Sequence, residues 1–507
     1  MAQHPSQPLQ QAALALPMAS TRRWSAVLLA PWLLLSAGIH AVAIGGLLLL
    51  PGEQQKQDQL SVRIQYAAEA AAAPVEVTPL DAVPEAAQTD LLPPAGPALA
   101  MPGLDAGSLA ATADLRQPEP ELPAAAEPRA VARQWTTTID LGGTISGRYA
   151  GRSSGRTVAG ASASDRGSFH AIELGLDWLR RHQDDDGRWD GNEFMKHDRD
   201  GAPCTGPGNA LHDVGITGLA LLAFLGDGSR MQSGPYRQQV KQGVKWLWSQ
   251  QQDNGLFGSN TAHDFVYDHA IAAYAMCEAY GLSGYATLRR PAQRGIDYLE
   301  RHRNPGAVWR YQPRDGDNDT SITGWCILCY SSGRSFGLQV DPQALRCCSD
   351  WLDQVTDEHG RAGYRQKGEP SSRRAGEHET SFPVDRGEAM TAEALFCRFF
   401  LAPETKEQKS LERSADLLLA RPPVWDRRSI DEYYWYYASS ALYQLGGRHW
   451  SEWQKKLADA VVKNQRQDGN ARGSWDPLGV WAEDGGRIYS TAMLVLTLEA
   501  GYRYQRR

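Results

Sequence analysis

The chain has 507 residues, 22% of them charged, and a formal net charge of −7. The acidic balance and the lack of a basic tract argue against a nucleic-acid partner. The seven cysteines, Cys204 to Cys397, are odd in number and irregular in spacing, so they form no disulfide framework.

Residues 1–23 form a polar tail whose only charges are Arg22 and Arg23. Trp24 to Leu50 is almost wholly apolar and ends at Pro51. About 20 apolar residues suffice to span a bilayer. The run also exceeds the apolar core of a cleaved signal peptide, about 7–15 residues. An uncleaved transmembrane helix over 24–50 is therefore expected, with the cell membrane as a partner. No basic residue follows until Lys56, so charge bias places the tail in the cytoplasm. Everything after residue 50 is then extracytoplasmic, that is, periplasmic in a bacterial cell. Residues 51–165 are rich in Ala, Pro and Gly, with too few large apolar groups to build a core, and read as a disordered linker.

From 166 to 507 a two-helix unit recurs. Gly175-Leu176-Asp177-Trp178-Leu179, Gly243-Val244-Lys245-Trp246-Leu247 and Gly295-Ile296-Asp297-Tyr298-Leu299 mark its first copies. In each unit an amphipathic helix is followed by a Gly- and Asp-rich turn and then by a helix apolar on most faces. The pairs are 171–182 with 214–225, 240–251 with 269–281, 291–302 with 321–336, 343–355 with 388–401, 411–419 with 433–445, and 453–464 with 491–504. Helices apolar all round belong inside and amphipathic ones outside. An open stack needs polar capping repeats, and neither terminal unit looks like one. The expected fold is all-α, an (α/α)6 toroid of six helical hairpins with no β-rich domain.

The turns after the outer helices read Gln183-Asp184-Asp185-Asp186-Gly187-Arg188-Trp189, Gln251-Gln252-Asp253-Asn254-Gly255-Leu256-Phe257, and Gln467-Asp468-Gly469 running on to Trp475. They resemble the Gln/Trp repeat of squalene and oxidosqualene cyclases. The resemblance covers about residues 169–507 and implies the toroid shared by terpenoid cyclases and protein prenyltransferases. It is also similar to single-toroid, membrane-anchored bacterial proteins with squalene-cyclase-like repeats. In that group the Gln amide and the indole tie neighbouring repeats together, and the repeat itself is structural.

The resemblance implies that the N-terminal ends of the inner helices ring the mouth of a cavity. Asp, Ser and Thr there serve first as helix caps. The densest cluster is Asp315-Gly316-Asp317-Asn318-Asp319-Thr320-Ser321. It resembles the Asp-x-Asp-Asp motif of squalene-hopene-type cyclases, with Asn318 in place of one Asp. The resemblance implies Asp319 as a proton donor and Asp317 as its partner, the two raising one another's pKa. The same residues begin like a calcium loop, but Thr320 replaces its obligatory Gly and Cys326 its terminal Glu. Protein prenyltransferases hold zinc with Asp, Cys and His, which here would draw on Asp317, Cys326 and His269. Cys326 and Cys329 share a helix face and read first as core thiols. Candidate ligand-binding residues are His269, Trp325, Tyr433, Tyr434 and Trp435, whose rings suit a hydrophobic chain, a peptide or a sugar. His378-Glu379 lacks the second His of a zinc-protease helix, and no P-loop occurs, so the sequence names no cofactor. The leading expectation is a membrane-anchored, extracytoplasmic toroid that binds a hydrophobic, peptide or glycan ligand or acts as an envelope scaffold. The alternatives are a terpenoid cyclase and a zinc-dependent prenyltransferase-like enzyme.

Overall fold

The computed structural model describes residues 163–199, 201–401 and 408–504. The expected tail, the membrane span 24–50 and the linker lie outside the described residues, except that 163–165 already belong to the first helix. Among the described residues no helix is long and apolar enough to cross a membrane.

Among the described residues twelve long helices alternate between two layers. The outer layer is α1 (Ala163–Arg181), α3 (Arg237–Ser249), α5 (Arg289–His302), α7 (Pro342–Val355), α9 (Gln408–Leu419) and α11 (Gly447–Val461). The inner layer is α2 (Asp213–Gly226), α4 (Phe265–Ser283), α6 (Thr320–Ser335), α8 (Ala389–Arg398), α10 (Glu432–Leu445) and α12 (Ala482–Leu498). Each inner helix packs on the next, and α12 packs back on α2, so the ring closes. The six expected hairpins are therefore present. The described residues contain no strand, only two isolated bridges in turns.

The two layers differ for the reason their sequences differ. Every residue of α2 is buried, because it faces both its ring neighbours and the outer layer. In α5 only Pro291, Ala292, Gly295, Ile296, Leu299 and His302 are buried, one stripe at helical spacing. Fully burying one side chain of that stripe, such as Leu299, contributes about 1.5–3 kcal/mol.

The turns lock hairpin to hairpin. The Gln183 amide donates to Gly187 O at 2.8 Å and to Gln239 O at 3.0 Å in α3. The Trp189 indole donates to Leu179 O at 2.8 Å, satisfying a carbonyl at the end of α1. Gln251 does the same, reaching Pro291 O in α5 at 2.9 Å. Gly187 has φ +104, and a Cβ there would collide with the Gln242 carbonyl of α3, so the turn requires glycine.

In the last hairpin the structure corrects the reading of Gln467. That side chain is exposed and donates only to Gln465 O at 3.1 Å. Gln465 holds the structural position instead, donating to Gly473 O at 2.9 Å and to Ala171 O of α1 at 2.7 Å. This bond ties the last hairpin to the first. The third hairpin carries the same device with arginine in place of glutamine. Arg303 donates to Ala307 O at 3.0 Å and pairs with Asp341, the cap of α7, at 3.1 Å, while the Trp309 indole donates to Leu299 O at 2.7 Å. All seven cysteines are buried and free.

The ring is sealed at the C-terminal ends of its inner helices. Arg503 lies between Glu278 of α4, at 3.0 Å, and Glu499, at 2.9 Å, and donates to Leu222 O of α2 at 2.8 Å. All three charged side chains are buried. Tyr274, Tyr504, Phe396 and Phe400 pack around them.

Candidate functional site

The opposite end of the ring is open. A cavity with about 1000 Å³ of empty space, its mouth included, begins at the N-terminal ends of the inner helices. All six contribute to its wall. Ile216 and Leu219 come from α2, Ile271 from α4, Trp325 from α6, Met390 from α8, Tyr433 from α10 and Tyr489 from α12. The charged residues of the lining all lie before these helices, in their first turns, or on the loop that crosses the rim. The wall beyond is apolar and aromatic.

Two ion pairs stand on the rim. His212 Nδ1 lies 3.1 Å from Asp268 Oδ2. Burial pulls the His212 pKa down, but the hydrogen bond and charge of Asp268 outweigh it and leave it pushed up to about 9. Burial raises the Asp268 carboxyl, and His212 opposes the rise. His212 is therefore protonated at neutral pH. Arg373 pairs with Asp431 at 3.1 Å, each side chain only 6% exposed. Asp431 also caps α10, accepting from Tyr434 N at 2.9 Å. Arg373 belongs to the connection between α7 and α8, which crosses the rim. There Arg374 pairs with Glu483 and Asp484, and His378 Nε2 donates to Val480 O at 2.8 Å.

Asp319 sits one residue layer behind the wall and is fully buried. Its Oδ1 caps α6, accepting from Ile322 N at 2.9 Å and from the Ser321 hydroxyl at 3.2 Å. Its Oδ2 accepts from the Tyr364 hydroxyl at 3.1 Å and faces Arg310 at 3.5 Å. Burial pushes its pKa up to about 6 against these four groups. Tyr364 and Ser321 both line the cavity. Tyr311 bonds Tyr364 at 2.7 Å, and Tyr267 bonds Ser321, so a hydroxyl network joins the carboxyl to the cavity.

Deeper in the wall, Glu393 of α8 accepts from the Tyr433 hydroxyl at 2.8 Å, and its other oxygen has no hydrogen-bond partner. Burial raises its pKa well above the ordinary carboxyl range, against the hydrogen bond from Tyr433.

The sequence candidates separate in the fold. Trp325 and Tyr433 line the cavity, and Trp325 stacks on Tyr436 with ring centroids 5.9 Å apart. Asp317 points away, 68% exposed, and pairs with Arg310 at 3.2 Å. The expected crowding of Asp317 on Asp319 is therefore replaced by burial as the cause of the raised pKa. His269 is not at the cavity. Its Nδ1 accepts from Phe257 N at 3.0 Å and its Nε2 donates to Gly295 O at 3.1 Å, and burial pulls its pKa down to about 3. Tyr434 turns outward, donating to Arg421 O at 2.8 Å and packing on Trp453, while Trp435 packs on Trp425. Asp317, Cys326 and His269 do not converge on a metal position: Cys326 is buried in α6, and both His269 nitrogens are committed.

The sequence reading missed Tyr267, Tyr311, Tyr364, Arg373 and Trp481 in the lining. Tyr311, Tyr364, Arg373 and Trp481 lie in connections, where no periodicity shows which way a side chain points.

No family model and no curated protein matches the sequence. Among solved structures similar to the chain is a type II terpene cyclase variant from Scytonema in complex with merosterolic acid A, at 14% identity and TM-score 0.40, covering 67% of this chain and 98% of that one. An α-1,6-mannanase of Salegentibacter sp. is similar at 12% identity and TM-score 0.46, covering 66% and 98%. An unsaturated glucuronyl hydrolase specific for heparin is similar at 13% identity and TM-score 0.48, covering 66% and 97%.

Proposed function

We propose that this toroid is a receptor for an amphipathic ligand with a hydrophobic body and a polar head. The observation that carries this reading is the division of the cavity. Its wall is Ile216, Leu219, Ile271, Trp325 and Met390, and its charges stand at the rim. An apolar chain gains from leaving water along such a wall, and aromatic faces add dispersion without fixing one orientation. His212 with Asp268 and Arg373 with Asp431 offer hydrogen bonds of both polarities to a head group. We further propose that the apolar run Trp24–Leu50 anchors the chain in the cell membrane with the toroid outside the cytoplasm. A membrane-tethered receptor for a lipid-like ligand joins these two readings.

Native mass spectrometry of the full chain released from detergent tests the proposal. A retained lipid or isoprenoid that is lost in Trp325→Ala supports it. A cavity that retains nothing, while soluble oligosaccharides or peptides bind in the same assay, refutes it. For topology, an active alkaline phosphatase fused to the C-terminus supports the extracytoplasmic placement, and an inactive one reverses it.

One observation favours a second reading, acid catalysis on an isoprenoid. Asp319 is a buried carboxyl pushed up to about 6, one tyrosine away from the cavity. In this reading the Tyr364 hydroxyl turns from Asp319 to the cavity and gives its proton to a double bond. Its oxygen takes the Asp319 proton, leaving the carboxylate, and Trp325 and Tyr433 face the resulting cation. Conversion of squalene or a shorter polyprene by the full chain, abolished in Asp319→Asn, would establish it. Intact ligand recovered from the parent after incubation leaves binding as the function.

A further inference from the structure

We infer that the connection between α1 and α2 holds a divalent transition metal of the zinc class, bound by His182 Nε2, Asp198 and Cys204 Sγ. The ligand atoms of these three residues lie within 4.8 Å of one another, and no other such group of His, Cys, Asp or Glu occurs among the described residues. His182 directly follows the first outer helix, and Asp198 and Cys204 come further along the same connection. None of the three lines the cavity, so the site is separate from the one above.

One hydrogen bond sets the ring nitrogen that a metal would take. His182 Nδ1 lies 2.8 Å from Trp178 O. A carbonyl only accepts, so Nδ1 carries the proton and Nε2 of the neutral ring presents its lone pair. A backbone carbonyl holding one ring nitrogen while the other binds is the usual second shell of a metal-ligating histidine. Nε2 lies 3.2 Å from Asp198 Oδ1. Two ligand atoms about 2.0–2.1 Å from one tetrahedral metal lie roughly 3.3 Å apart, so a metal fits between them. A proton alone would join the nitrogen to the carboxylate. It would give no reason for a cysteine sulfur to converge on the same point.

The histidine ring is packed on both sides of its motion. The Trp178 ring stacks on His182 with centroids 4.0 Å apart, and Phe194 meets its edge at 5.9 Å. Asp198 Oδ2 accepts from Cys204 N at 2.6 Å, which orients the carboxylate and anchors the cysteine beside it. His, Asp and Cys together suit zinc or cobalt better than magnesium or calcium, which take oxygen ligands. Binding releases the Cys204 thiol proton to solvent and forms the metal–sulfur bond. Three protein ligands leave the fourth position to water.

The location gives the metal a task. Asn470, in the turn of the last hairpin, accepts from Arg199 N at 2.9 Å and donates to Arg199 O and Ala202 O, each at 3.0 Å. The Trp178 indole donates to Asn470 O at 2.9 Å. Arg199 and Ala202 therefore belong to the seam where the sixth hairpin meets the first, and a metal beside them fastens the ring closed.

The test uses the full chain, purified in detergent, stripped with chelator, dialysed and titrated with zinc and with cobalt(II). The expected result is stoichiometric uptake, a sulfur-to-cobalt charge-transfer band, and a higher melting temperature with zinc. His182→Gln and Cys204→Ser should each weaken cobalt binding by roughly tenfold or more, since losing even a second-shell partner costs about that much. Cys347→Ser, a buried cysteine away from this site, should bind as the parent does. A folded parent with no charge-transfer band overturns the inference, as does binding unchanged in both ligand variants. If those variants fail to fold, the parent spectrum decides, because no other cysteine belongs to such a group.

Discussion

At the C-terminal ends of the inner helices Arg503 is clamped between Glu278 and Glu499 with all three side chains buried. At the N-terminal ends the pairs His212–Asp268 and Arg373–Asp431 stand at the mouth of a cavity. Both ends place charge where six helices converge, and the surroundings decide what that charge does. Helix C-termini carry partial negative charge, and at the sealed end a guanidinium sits among them and two carboxylates. Helix N-termini carry partial positive charge, and at the open end Asp319 and Asp431 cap two of them. The closed end spends its ionic groups on one another, while the open end leaves its own within reach of water and a ligand.

The largest expected effect breaks the sealed end. Arg503→Met leaves Glu278 and Glu499 buried without their cation, which costs about 3–5 kcal/mol. Chemical denaturation of the variant should show a loss of that size, and a loss below about 1 kcal/mol would mean that water reaches the triad. Arg373→Met at the rim is the matched change. Asp431 keeps its bond from Tyr434 N and its access to the cavity, so the expected loss is smaller, about 1–3 kcal/mol. If Arg373→Met costs as much as Arg503→Met, the distinction between a sealed and an open end is wrong.

How much of this was legible follows from the same geometry. The hairpins could be read because an apolar stripe and a glycine turn repeat, and those patterns are one-dimensional. Arg303 hid the third turn by supplying a guanidinium where the others use an amide. Gln467 drew attention from Gln465 because it precedes Asp-Gly, although only Gln465 reaches α1. The aromatic run 433–437 shows where sequence runs out. Each helical residue turns about 100° from the last, so Tyr433, Tyr436 and Tyr437 meet Trp325 on the inner face. Tyr434 points to Trp453 in the outer layer instead. Knowing that the run starts a helix does not say which member faces the axis. Asp319 was legible as a cap, and its link to the cavity was not, because Tyr364 arrives from a connection 45 residues on.

A third prediction sharpens the contrast through pH. His212 is pushed up to about 9, above its ordinary 6.5, by Asp268 against the pull of burial. The stabilisation from pairing is fully present below pH 6.5 and is lost as pH rises through about 9. An NMR titration of the His212 ring should show a midpoint near 9, and Asp268→Asn should move it down toward or below the ordinary value. A midpoint near 6.5 in the parent would mean that the rim pair is not closed in solution.

The smallest effect belongs to Asp319, whose carboxyl is pushed up to about 6 from its ordinary 3.8 by burial. The folded state then binds a proton more tightly than the unfolded state between those values. The associated stabilisation is present below 3.8 and declines as pH rises through about 6. Asp319→Asn keeps an oxygen for Ile322 N, so the cap survives, and it carries no charge to desolvate. Its stability should lie within about 1 kcal/mol of the parent at neutral pH and should lack the parent's decline between pH 4 and 6. Asp319→Ala removes the cap as well and should lose about 0.5–2 kcal/mol. Melting temperatures of the three proteins across that range separate the two contributions. If the parent and Asp319→Asn trace parallel curves, burial does not raise the carboxyl, and the acid-catalysis reading loses the observation that favours it.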